Sequence, residues 1–194
     1  MNICIYGASG NELAQEYFDD AFALGQRMAE NGHTLVFGGG NGGLMGACAR
    51  GAASKSGEII GIAPRFFDEP GVLFPACSRF VYTETMRERK AAMEAESGAF
   101  IVLPGGIGTF EEFFEILTLK QLGRHAKPIA VLNTLGYYGD LLRMLETAVS
   151  GGFLSRSCLA LFALCDTPEE ALQHVLTAPV VTGSVRRIAD YTKK

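Results

Sequence analysis

The sequence has little from which a metal centre, a disulfide scaffold or a membrane anchor could be built. Its five cysteines, Cys4, Cys48, Cys77, Cys158 and Cys165, are odd in number and scattered, with no CxxC pair. That spacing argues against a disulfide framework and a structural zinc site, and fits a reducing cytoplasm better. Cys4 and Cys165 stand in apolar runs and read as small core residues. The histidines, His33, His125 and His174, are isolated, so structural or surface roles are expected of them. No His/Cys/Asp cluster points to a metal. No apolar run reaches the roughly 18 residues of a membrane span. Met1–Ile5 carries no basic segment before its apolar run and does not read as a signal peptide. An excess of positive charge is also missing. The net charge of −4 leaves no basic footprint for nucleic acid, although a small phosphorylated ligand needs only a local positive site. Internal repeats, low-complexity stretches and linkers are absent.

What is present suits one soluble globular domain with a full-sized core: 194 residues, 48% hydrophobic and 20% charged. Short apolar, β-prone runs alternate with helical stretches. Strands are predicted at Ile3–Ala8, Thr34–Phe37, Ile59–Ala63, Phe80–Thr83, Phe100–Leu103, Ile129–Leu132 and Leu161–Cys165. Helices are predicted at Glu12–Asn31, Leu44–Lys55, Met86–Ser97, Phe110–Leu122, Leu141–Val149 and Pro168–Leu176, the last capped by Asp166 or Thr167. Strands apolar throughout and separated by helices indicate a sheet covered on both faces. The expected fold is α/β, a single doubly wound Rossmann-like domain over residues 1–180 with a mostly parallel sheet, and a polar C-terminal tail over 181–194. Ligands of such sheets bind beyond the carboxyl ends of the strands. Three strands here end in glycine-rich turns, Gly7–Gly10, Gly38–Gly43 and Gly105–Gly108, which should gather at one edge.

The stretch Gly38–Gly43 with Leu44-Met45-Gly46 formally satisfies GxGxxG. A dinucleotide site also needs an acidic residue at the end of the next strand, and Ile59–Ala63 ends in Pro64, with Glu58 at the wrong end. A Walker A loop is absent. The stretch is either a tight strand-to-helix turn or a place where backbone N–H groups approach a ligand. Pro104-Gly105-Gly106-Ile107-Gly108-Thr109-Phe110-Glu111-Glu112 follows a buried strand and opens a helix. Its glycines free the backbone N–H groups, and a helix N-terminus adds donors and partial positive charge, together an anion site to which Thr109 can add a hydroxyl. Glu111 and Glu112 are expected in the first helical turn, where they either complement the helix dipole or hold a ribose hydroxyl or a water. Met86–Met93 reads alone as a solvated helix face with Glu/Arg pairs. Arg89 and Lys90 nevertheless start near the ligand edge, where they could bind phosphate or stack on a base.

Together these pieces resemble the LOG ("Lonely guy") family, the cytokinin riboside 5′-monophosphate phosphoribohydrolases, whose members are often mislabelled as lysine decarboxylases. The family signature PGGxGTxxE matches Pro104–Glu112 at every specified position. Met-x-x-Arg-Lys-x-x-Met matches Met86, Arg89, Lys90 and Met93, and GGGxxGLMG matches Gly38–Gly46. The resemblance runs from residue 3 to about 176. It implies a hydrolase that cleaves the N-glycosidic bond of a nucleoside 5′-monophosphate, either a cytokinin riboside monophosphate or AMP, to free base and ribose 5-phosphate. It implies Arg89 and Glu112 as the catalytic pair and Gly105, Gly106, Ile107, Gly108 and Thr109 as the phosphate loop. Ser9, Gly10, Gly43, Met86, Lys90, Glu111 and Thr118 would line the rest of the substrate site. No metal or cofactor is expected, and a cytoplasmic homodimer is implied, with no nucleic-acid or membrane partner. The chain departs from the family at Tyr6-Gly7-Ala8-Ser9-Gly10, where Cys-Gly-Ser-Ser is usual, and in Pro64–Cys77, a candidate to contact the base. The rival from another class is a non-catalytic nucleotide- or molybdenum-cofactor-carrier-like binding protein. A PLP-dependent decarboxylase is a poorer rival, because no local context marks Lys90 or Lys120 as a Schiff-base lysine. A DNA-processing protein of related fold is disfavoured by the net charge.

Overall fold

Residues along the first strand, Asn2–Tyr6, point alternately to the two sides of a sheet. Ile3 and Ile5 enter one buried cluster, Cys4 and Tyr6 another. The same alternation recurs in Ala99–Val102 and Ile129–Leu132, so every central strand feeds two cores. A computed structural model describes residues 1–179 together with Val181 and Ser184; the expected polar tail otherwise lies outside the described residues. In chain order the elements are β1 (Asn2–Tyr6), α1 (Gln15–Glu30), β2 (Thr34–Phe37), α2 (Gly43–Ser54), β3 (Ile59–Pro64), β4 (Arg79–Thr83), α3 (Met86–Glu96), β5 (Ala99–Val102), α4 (Ile107–Gln121), β6 (Ile129–Leu132), α5 (Gly139–Ser150), β7 (Ala163–Cys165) and α6 (Pro168–Thr177). Short 3₁₀ turns lie at Arg65–Phe67, Thr134–Gly136 and Arg156–Leu161.

The seven strands form one sheet in the order β4-β3-β2-β1-β5-β6-β7. Every pairing is parallel, so the expected mostly parallel sheet is parallel throughout its described strands. One face packs on α1, α2 and α6 through residues such as Leu24, Met28, Leu44 and Leu172. The other packs on α3 and α4 through Met93, Phe113 and Ile116. Strand order reverses between β1 and β5, whose carboxyl ends Tyr6 and Val102 lie side by side in register. This switch point opens the crevice that doubly wound folds use for ligands.

Local chemistry sets the element ends. Thr85 caps α3 by accepting from Glu88 N at 3.2 Å, and Thr167 caps α6 by accepting from Glu170 N at 3.2 Å, with Pro168 in the first turn. Strand β1 stops at Tyr6 rather than Ala8, because Gly7 and Ala8 turn aside and Ala8 N donates to Pro104 O at 3.0 Å. Helix α1 starts at Gln15 rather than Glu12, since Ala14 is extended. The expected strand Leu161–Cys165 is cut to Ala163–Cys165, because a turn anchored by Ser155 O accepting from Cys158 N at 2.9 Å carries the chain through Leu161. Helix α4 begins at Ile107, three residues before Phe110, because extended Gly106 is already its N-cap. Glu111 and Glu112 therefore sit in the second turn, not the first. A simple interaction with the helix terminus no longer accounts for them.

Candidate active site

The three glycine-rich turns do converge. Ala8 N reaches Pro104 O, and Leu44 N reaches Ala8 O at 2.9 Å, tying the turns after β1, β2 and β5 together. Between them lies a cleft of about 680 Å³. At Gly43, φ is +60° and a Cβ would run into Ala8 O, so glycine is what lets α2 start this close to the first turn. The Asn11 carboxamide oxygen accepts from Gly43 N at 2.8 Å. Asn11 was not singled out from the sequence; its one signal is an asparagine beside the glycine of a turn.

On one side of the cleft α4 presents its N-terminus. The first N–H of the helix to reach a carbonyl is that of Phe110, on Gly106 O at 2.9 Å, so the N–H groups before it lie outside the helical ladder. Gly106, Ile107, Gly108 and Thr109 line the cleft there, and Gly105 sits just behind with its Cα against the Thr109 side chain. Ser9, Met86, Arg89, Glu111 and Glu112 line it too. Gly10 and Gly43 flank the first turn without lining the cleft.

The same cleft holds a buried ion pair whose carboxylate stands in the second turn of α4. Arg89 Nη1 stands 3.0 Å from Glu112 Oε1, with Arg89 6% and Glu112 8% exposed. Arg89 Nε also donates to Ile62 O at 3.2 Å, so α3 and β3 together fix the guanidinium. Its path crosses Gly38, where a Cβ would collide with it. The glycine run after β2 thus serves arginine passage, a role beyond the two readings drawn from the sequence. Burial raises the Glu112 pKa; Arg89 pulls it down without cancelling the rise. A carboxylate held this way is a charged group in a poorly solvated site, poised to respond to positive charge.

Lys90 is turned aside. It bonds to Glu111 and lies 2.8 Å from Glu115. Burial works against its ammonium, but the two glutamates outweigh that and raise its pKa. Thr118 does not join the cleft. It lies six residues beyond Glu112, roughly 9 Å further along α4. There it shares a shallow exposed depression with Phe114, Glu115, Leu119 and Glu111, the last of which also lines the cleft. The segment after β3 does join it. Phe67, Val72 and Leu73 line it as an apolar stretch, as does Met45. They are held by a short antiparallel bridge, with Asn41 N on Val72 O at 2.9 Å and Phe74 N on Gly39 O at 2.8 Å. Among the described residues no group of three or more His, Cys, Asp or Glu gathers to hold a metal, and no helix is long and apolar enough to cross a membrane.

A parallel doubly wound sheet with a free helix N-terminus and a buried arginine–carboxylate pair in one switch-point cleft defines a Rossmann-like α/β protein. The chain belongs to the LOG family, whose sequence profile carries the description "Possible lysine decarboxylase" and matches residues 45–175. It is 34% identical over 171 residues to the cytokinin riboside 5′-monophosphate phosphoribohydrolase LOG2 of Arabidopsis thaliana, covering 88% of this chain and 80% of that protein. It is 34% identical over 189 residues to the phosphoribohydrolase LOG of Oryza sativa subsp. japonica, covering 97% and 73%. Among solved structures it is similar to the molybdenum cofactor binding protein of Rippkaea orientalis, with a TM-score of 0.69, 23% identity and coverage of 90% and 94%. The molybdenum cofactor carrier protein of Chlamydomonas reinhardtii gives 0.69, 22%, 90% and 95%. At those identities the likeness is one of fold. The decarboxylase description does not fit the lysines: Lys90 is engaged by two glutamates, and Lys120 is buried on the last turn of α4, outside the cleft.

Proposed function

We propose that the cleft binds a nucleoside 5′-monophosphate and hydrolyses its N-glycosidic bond, releasing free base and ribose 5-phosphate. The observation that carries this reading is the Arg89–Glu112 pair, buried at 3.0 Å in the same cleft as the α4 N-terminus. The phosphate rests on the backbone N–H groups of Gly105–Thr109, where helix donors and dipole favour an anion. This interaction is remote from the reacting bond and serves to position the ribose. As the C1′–N bond breaks, its electron pair leaves with the base, which takes up a proton. Positive charge grows on the ribose, and water attacks C1′ and gives up a proton. Glu112 is attracted to that charge more strongly in the transition state than in the ground state, which is what accelerates the step. Arg89 holds the carboxylate in place and assists the departing base or fixes the nucleotide. Ser9, Met86 and Glu111 complete the substrate surface. The names of the family relatives support the same reaction.

We further propose a cytoplasmic homodimer with α4 at the contact, which the exposed Phe114–Leu119 depression and the family resemblance support. Light scattering of the full chain tests it. The reaction is tested by incubating the protein with AMP and N6-modified AMP and following free base, with ADP and ATP as controls. Release from a monophosphate, lost in Glu112→Ala, is expected. Nucleotide retained without turnover would instead favour a carrier.

A further inference from the structure

We propose that Tyr137 is a positioning residue of the anion cradle, orienting the Gly105–Gly106 peptide from behind. The inference rests on reading the cradle as the phosphate site. Three successive carbonyls lead into it, and each is occupied by a donor from outside. Leu103 O accepts from Tyr138 Oη at 2.7 Å, Pro104 O from Ala8 N at 3.0 Å and Gly105 O from Tyr137 Oη at 2.6 Å. In a trans planar peptide the C=O and the following N–H point in opposite directions. A hydroxyl that holds Gly105 O away from the cleft therefore turns Gly106 N–H toward it. Gly106 lines that cleft.

This peptide is the one that most needs a brace. It joins two glycines, so no Cβ on either side resists rotation about its flanking bonds. Once rotated, it would present a carbonyl oxygen to the anion instead of a donor. The Pro104 peptide has no N–H to offer, and the Ile107 peptide is steadied by the start of the helix.

The connection from β6 to α5 is shaped to deliver the hydroxyl. Leu135 and Gly136 both adopt positive φ, +55° and +74°. A left-handed leucine is uncommon and persists only where its surroundings hold it. Here Asn133 Oδ1 accepts from Tyr138 N at 2.8 Å, and Thr134 Oγ1 donates to Asp20 Oδ2 at 2.6 Å. The Tyr137 ring, 40% exposed, packs edge-on against Tyr17 and Tyr138 and does not line the cleft. It acts through the backbone it holds.

The test is titration of the ¹⁵N-labelled full chain with ribose 5-phosphate, following the amide signals of residues 105–109 and the Kd they report. In Tyr137→Phe, which keeps the ring contacts, Kd should rise about 5–10-fold, the cost of one modest hydrogen bond. The Gly106 amide signal should shift in the free protein, and Tm should fall by no more than about 6 °C, the loss of a single hydrogen bond. Tyr17→Phe, on the other side of the same ring contact, should leave Kd unchanged. An unchanged Kd in Tyr137→Phe, or an equal loss in Tyr17→Phe, overturns the role of Tyr137 while the cradle stands. Failure of the wild-type chain to bind ribose 5-phosphate overturns the cradle itself, and the role of Tyr137 with it.

Discussion

The two walls of the cleft are built in different ways. The cradle wall, Gly105–Thr109, is backbone with little side chain, and the carbonyls entering it are each met by an outside donor. The other wall, Phe67 with Val72 and Leu73, is side chain carried on a strap. A 3₁₀ turn at Arg65–Phe67 and one antiparallel bridge to Gly40 hold it, while Phe66, Phe67 and Val72 remain 57%, 38% and 40% exposed. The difference teaches which part of a ligand each wall can read. Backbone N–H groups at a helix terminus recognise an anion whatever residues surround them. An apolar side-chain wall recognises shape and surface, and one substitution changes it. The proposed phosphate end is therefore the constant part of the site and the proposed base end the adjustable part.

Substitutions at the ion pair, which lines the same cleft as both walls, should have the largest effect. Glu112→Gln keeps an oxygen for Arg89 but removes the charge, and should lower kcat by about 10²–10³, as loss of a transition-state electrostatic contact does. Glu112→Ala should also destabilise the fold by about 3–5 kcal/mol, because it strands a buried guanidinium; thermal or denaturant unfolding reads this. At the cradle, a Cβ in Gly105→Ala would strike the Thr109 side chain and displace the turn. Binding of ribose 5-phosphate should weaken about 10–100-fold, the worth of charge-assisted hydrogen bonds. Intact binding in that variant would break the contrast between a rigid and an adjustable wall.

Much of this was legible in the sequence where chemistry repeats at fixed spacing. Fully apolar runs between helices give a doubly wound sheet, and PGGxGT after a strand gives an anion site from backbone physics alone. Arg89 and Glu112 were legible only as a pair of resembling motifs, since 23 residues and a strand separate them and no periodicity joins them. The boundary of α4 was misplaced because Gly106 and Gly108 look like turn residues although one caps the helix and the other lies inside it. Thr118, grouped with the site by resemblance, lines the neighbouring depression that shares Glu111 with the cleft. Tyr137 and Asn11 act on backbone atoms of other turns, and such contacts leave no local pattern. The strap was legible as a departure from the family and a candidate to contact the base, but not its attachment, which depends on two hydrogen bonds to the turn after β2.

A smaller effect follows from the Glu112 pKa, which burial raises. Ionised Glu112 is the form the mechanism needs, so kcat/KM should fall about tenfold per pH unit below that raised value, on an acid limb above the ordinary carboxylate range. The sign for stability is opposite. The folded chain holds this proton more tightly than the unfolded chain does, so the contribution of Glu112 to stability is full at low pH. It is lost as pH rises from the ordinary carboxylate range through the raised value. A pH profile whose acid limb sits at an ordinary carboxylate position would remove Glu112 from the step.

The smallest effect is expected at the strap, and its form matters more than its size. Phe67 is partly exposed already, so Phe67→Ala removes only part of an aromatic contact, worth about 1 kcal/mol or a few-fold in KM. That change should depend on the base: larger for a monophosphate with an apolar substituent on its base, smaller for AMP. Ribose 5-phosphate, which has no base to offer, should bind Phe67→Ala as tightly as it binds wild type. Val72→Ala should follow the same order with a smaller step, since less surface is lost. A loss equal for all three ligands would mean that the strap supports the cradle through Gly39 and Asn41 rather than facing the base. The contrast between the walls would then be one of construction only, not of recognition.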